Sequence, residues 1–143
     1  MTTTTKRKTK AIALAKHLGV EAEDVTEAFR SKTTFEVDGE TWLVLTDEEA
    51  DEHASNEIRE SLWAFNPSFL LAHINAHLDQ KHLSKIQSDM CENANEVIAA
   101  LVGENIESLI DDAISSDGRE HFLSRYDGIE VELAEGLFAY RID

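Results

Sequence analysis

The sequence predicts an α+β fold, with helices packed on a small antiparallel sheet made of an N-terminal-half hairpin and a C-terminal hairpin. Three observations predict it. In "TFEVDGETWLVL", aromatic and β-branched residues flank Asp38-Gly39, a pair suited to a two-residue turn with positive φ at both positions. The closing "IEVELAEGLFAYRID" has the same character, with Gly136 near its turn. Between them, apolar residues recur three and four apart, the period of helices with one buried face. Two isolated hairpins are marginal in water, so the two should pair into one sheet with helices on one face.

Taken in order, residues 1–7 read as a flexible basic tail and 8–143 as a single α+β domain. The first helix turns Ile12, Leu14, Ala15 and Leu18 inward and stops at Gly19. "VEAEDVTEAF" reads as a short second helix with Val25, Ala28 and Phe29 on one side. The first hairpin pairs 33–37 with 40–45. Thr46 then caps a helix, and Glu49 three residues on completes a capping box. That helix buries Ala50, Ala54, Ile58, Leu62 and Phe65. Asn66-Pro67 ends it and starts another, "PSFLLAHINAHL", with Asn as cap and Pro at the first helical position. "DQKHLSKIQ" reads as a shorter helix. "SDMCENANEVIAALVG" follows with Met90, Ala94, Val97, Ile98 and Leu101 inward, then "NIESLIDDAISS". "DGREHFLSRYDG" links these to the last hairpin, which should carry Phe138 and Tyr140 to one side of the sheet.

Composition narrows the function classes. Twenty-nine acids face thirteen Lys and Arg, a formal net charge of -16. Residues 1–16 hold five of the bases and no acid, so the other 127 residues set 29 acids against 8 bases, a net of -21. Affinity for a phosphate backbone comes chiefly from Lys and Arg displacing counterions. Such a body should bind neither nucleic acid directly nor an anionic membrane. No apolar run approaches the roughly 20 residues of a membrane span, and no secretory signal pattern opens the chain. The single cysteine, Cys91, reads as a small buried residue in a reduced, cytoplasmic setting.

Catalytic and cofactor motifs are sparse. His73 and His77, four apart on the expected helix, would share a face and are metal candidates, with Asp79 or His82 as a third ligand. The spacing is not HExxH, and partly buried helix histidines explain the same pattern. Glu49 and His53 lack the second Glu-x-x-His of a di-iron bundle. There is no G-x-S-x-G, no phosphate-binding glycine loop and no base beside Cys91. The sequence therefore predicts no enzyme and no cofactor. Arg119 and Arg125 most simply pair with local carboxylates. The positive surplus of the first ten residues is too small to bring nucleic acid to so acidic a body.

What remains is "TDEEADEHASNEIRE", residues 46–60, with seven carboxylates in fifteen positions. Asp47, Glu48, Asp51, Glu52, Glu57 and Glu60, with Trp63 at the helix boundary, form the candidate partner-binding surface, suited to a protein with a basic surface. Three segments, "WLVLTDEEADEHASNEIRESLWAFNPSFLLAH", "MCENANEVIAAL" with "DDAISSDGREHFLSRYDG", and "GLFAYRID", resemble an uncharacterised family of small acidic proteins from tailed phages and mobile elements. The likeness runs from about Phe35 to the C-terminus and carries no catalytic residue across. It implies a phage or prophage origin and the cytoplasm of a host cell. The expected function is non-catalytic: binding and inhibiting a basic host nucleic-acid-handling complex, as an anti-CRISPR or antirestriction protein or nucleic-acid mimic does. The alternative is a phage accessory or assembly protein, such as a homodimer, whose acidity only confers solubility.

Overall fold

The computed structural model describes residues 3–143, with side chains from Thr9 onward. The chain divides into two compact units. The first takes the chain up to Ala54 together with Arg119–Asp143, and the second takes Ser55–Gly118.

The first unit is built on the sheet. Helix α1 (Thr3–Leu18) starts within the segment expected as a tail; residues 1 and 2 lie outside the described residues. Its buried stripe is Ala13, Leu14 and Ala15, with Ala11 and Leu18 half-buried. Ile12 was expected inward and is 54% exposed. At about 100° per residue it lies roughly 160° around the helix from Leu14, so both cannot face the core. Gly19 ends the helix at φ 71°, and the Val20 N–H donates to the Ala15 carbonyl at 3.0 Å, closing a Schellman motif.

The expected second helix does not form. Ala22–Asp24 make one 3-10 turn, and Thr26–Glu27 become strand β1, paired antiparallel with β2 (Thr34–Val37). Val25 and Ala28 are buried as expected, but Phe29 is 82% exposed. The Ser31 N–H donates to the Ala28 carbonyl at 3.0 Å, across a tight turn with Phe29 at φ 56° and Arg30 at φ 54°. That turn sends the chain back along β2 and leaves the Phe29 ring outside. Pairing with β2 overrides the weak helical pattern of ten residues that hold few large apolar side chains.

The first hairpin forms as read. β2 pairs with β3 (Glu40–Thr46) around Asp38 and Gly39, whose φ values of 49° and 81° match the turn that Asp-Gly favours. The last hairpin pairs β4 (Val131–Glu132) with β5 (Leu137–Arg141). The two hairpins join through β3 and β5, with Leu43 opposite Tyr140 and Leu45 opposite Phe138, in a five-stranded antiparallel sheet of order β1-β2-β3-β5-β4. One face, Phe35, Val37, Trp42, Val44, Leu137 and Ala139, packs in one cluster with Ala13, Leu14 and Ala15 of α1. The opposite face is also closed: Leu45 and Tyr140 have no exposed surface. Helix α7 (Arg119–Leu123) packs on β5. The sheet is therefore covered on both faces rather than one.

Helix α2 (Asp47–Glu60) belongs to the first unit up to Ala54 and to the second from Ser55. Its capping box is complete. The Glu49 N–H donates to Thr46 Oγ1 at 3.2 Å, and the Thr46 N–H donates to Glu49 Oε1 at 2.9 Å. Ala50, Ala54 and Ile58 are wholly buried, at the expected spacing of four.

The second unit is helical: the end of α2, a 3-10 turn at Leu62–Ala64, then α3 (Pro67–Leu71), α4 (Gln80–Met90), α5 (Ala94–Val102) and α6 (Ile106–Asp117). Ile58, Leu62, Leu70, Leu83, Ala94, Ile98 and Leu109 have no exposed surface. Each of the large ones contributes about 1.5–3 kcal/mol by leaving water. Asn66 caps α3 by accepting from the Ser68 N–H at 2.9 Å, as its place before Pro67 predicts. Two expected helices are interrupted. The one over 67–78 stops at Leu71, where the His73 and Ile74 N–H groups donate back three residues instead of four. Asp79 then needs extended backbone to cap α4 through the His82 N–H. The one over 88–103 breaks at Cys91, at φ 51°, and resumes as α5. Cys91 is exposed rather than buried, Met90 is 38% exposed, and Ala94, Ile98 and Val102 make the inward row.

Candidate protein-binding surface

The acids of α2 separate into two groups by what holds them. In the first unit the Arg119 guanidinium collects three carboxylates. Its Nη1 is 2.8 Å from Asp47 Oδ1 and 2.9 Å from Asp51 Oδ1, and its Nε is 2.6 Å from Glu130 Oε1. Nη1 also donates to the Asp47 carbonyl, and the group lies 4.8 Å from the centre of the Phe138 ring. Glu130 accepts in addition from the Tyr140 hydroxyl. Burial works against the Arg119 charge, but the bonds to Glu130, Asp51 and Asp47 outweigh it and hold the guanidinium above its ordinary pKa. For Tyr140, burial first and the bond to Glu130 second push the phenol above its ordinary value.

Lys10 forms the second clasp of this unit. Its ammonium, with only 7% of the side chain exposed, lies 2.7 Å from Glu49 Oε1. Burial alone would raise the Glu49 pKa. Lys10 and the Thr46 N–H outweigh it and hold the carboxyl below the ordinary glutamate value. Glu49 therefore both caps α2 and ties it to α1.

Glu48 and Glu52 are placed differently. Both are exposed, and one helical turn separates them. Each lies about 160° around the helix from the buried Ala50. Of the sequence-predicted acids in this unit, Asp47 and Asp51 are drawn to Arg119, while Glu48 and Glu52 point outward. In the second unit Glu60 is exposed, Glu57 is half-buried and Trp63 is half-buried. The Trp63 N–H donates to Asn95 Oδ1 at 2.8 Å, and Asn95 Nδ2 donates to the Glu60 carbonyl. Asn95 thus satisfies the end of α2 from α5 and fixes the backbone at Trp63. Arg59 pairs with Glu107 at 2.5 Å on the surface of the same unit.

The histidine pair does not form a site. His73 is buried, with Nε2 3.1 Å from Asp112 Oδ2 and its carbonyl accepting from Asn105 Nδ2. Its ring lies 5.4 Å from that of Phe69. His77 is exposed beyond the end of α3, so the two share no helix face. His82 pairs with Asp79, its own helix cap, at 2.8 Å. Among the described residues no group of three or more His, Cys, Asp or Glu is placed to hold a metal ion.

Sequence reasoning missed the clasps. Arg119 was expected to pair with local carboxylates. Only Glu130 is local in the chain, and Asp47 and Asp51 lie some seventy residues away. Lys10 was counted only as part of the positive surplus of the first ten residues. A lysine in line with the buried row of α1 was the available signal, since such a residue must find a partner. Among the described residues no helix is long and apolar enough to cross a membrane. No family model, no curated protein and no solved structure matches the chain.

Proposed function

We propose that this is a non-catalytic binding protein of phage or mobile-element origin. In this reading it acts in the host cytoplasm by docking on, and inhibiting, a basic nucleic-acid-handling complex, as antirestriction and anti-CRISPR proteins do. The observation that carries the reading is the division of charge on α2. Seven carboxylates lie between Asp47 and Glu60, over about 20 Å of helix. Lys10 and Arg119 neutralise part of this run, while Glu48 and Glu52 in the first unit, and Glu60 in the second, stay exposed. A basic groove would meet Glu48 and Glu52, one helical turn apart, as an outward pair of anions.

The experiment is capture from host lysate on immobilised protein at low salt and at about 0.5 M salt, where the Debye length falls to a few ångströms. The reading requires a nucleic-acid-handling protein at low salt and its loss at high salt.

A second reading is favoured by a separate observation. Asp47, Glu49 and Asp51 serve the fold itself, and Phe29, Tyr126 and Ile129 expose more than half their surface. An accessory or assembly protein that self-associates through apolar side chains, kept soluble by its acids, has these features too. Light scattering across protein concentration tests the self-association: a constant monomer mass removes the homo-oligomeric form of this reading, and a dimer leaves the first reading standing.

A further inference from the structure

We draw no further inference here: the strongest candidate, the cleft of about 660 Å³ in the first unit lined by Lys10, Thr46, Asp47, Glu48, Glu135 and Leu137, is an acidic cluster at the start of α2 whose one deeply buried polar side chain, Lys10, already has Glu49 as its partner, and nothing in the structure shows what would occupy it.

Discussion

Lys10 and Glu49, thirty-nine residues apart, meet at 2.7 Å, and the same Glu49 oxygen accepts the Thr46 N–H that opens α2. One carboxylate therefore completes a helix cap and neutralises an almost buried ammonium. Glu49→Gln keeps the shape and removes the charge. It should lower stability at neutral pH by about 2 kcal/mol, because the Lys10 charge stays behind without its counter-ion. The pH dependence follows from the direction of the shift. The folded-state pKa of Glu49 is depressed, so its contribution is present above the unfolded value near 4.5 and is lost as pH falls through the lower folded value. Thermal melts from pH 7 to pH 3 should show the wild type losing its advantage over Glu49→Gln at the acid end. A constant gap across that range would exclude this role for the carboxylate.

Arg119, largely buried among three carboxylates, should be the most sensitive charged residue of the first unit. Arg119→Ala leaves Asp47, Asp51 and Glu130 converging without a cation, and about 3 kcal/mol of stability should disappear in a denaturant melt. Arg119→Lys keeps the charge but cannot reach three carboxylates with a planar fork, so it should recover only part of that loss. Equal stability of the lysine variant and the wild type would mean that charge alone, and not the guanidinium geometry, matters.

The Phe29–Arg30 turn should be improvable. Both residues sit at positive φ, where an L side chain costs roughly 1 kcal/mol, and Phe29 is 82% exposed. Phe29→Asn combined with Arg30→Gly supplies the residues such a turn prefers. The double variant should gain about 1 kcal/mol or more in chemical unfolding. A loss would show that the phenyl ring or the guanidinium stabilises the fold in a way its exposure conceals.

Tyr140 should resist ionisation. Burial and the bond to Glu130 raise its pKa, so one of the chain's two tyrosines should stay protonated at pH values where a free phenol is ionised, about 10. Because the folded value is the higher one, the folded state gives up stability as pH rises above the unfolded value. Ultraviolet titration of the wild type and Tyr140→Phe reads this directly. Two equal ionisations near the free value in the wild type would contradict it.

What the sequence revealed was what short stretches encode by themselves. Asp38-Gly39 could make only a tight turn, Thr46 and Glu49 could close a box within one helical turn, and Asn66-Pro67 marked a start. Gly19 did the same at a helix end. The failures lie where distant chain decides local form. β1 exists because β2 offers it a partner, and Asp79 takes extended backbone to cap the next helix, so the helix after Pro67 cannot run on through it. The same reason hid the sorting of the α2 acids. Asp47 and Glu48 are adjacent and chemically alike, and only Arg119, seventy residues on, takes one and leaves the other. Periodicity identified the buried row Ala50, Ala54 and Ile58, but it could not say which outward acids already had a cation.

The reading of function turns on the outward carboxylates, and it is tested most directly by neutralising them while sparing the clasps. Glu48→Gln, Glu52→Gln and Glu60→Gln together remove exposed charge and leave Glu49, Asp47 and Asp51 in place. The triple variant should melt within about 1 kcal/mol of the wild type, since exposed charges contribute little to stability. In host lysate at low salt, the wild type should retain a nucleic-acid-handling protein and the variant should not. Retention of the same protein by both, or of none by the wild type at either salt, would contradict the account.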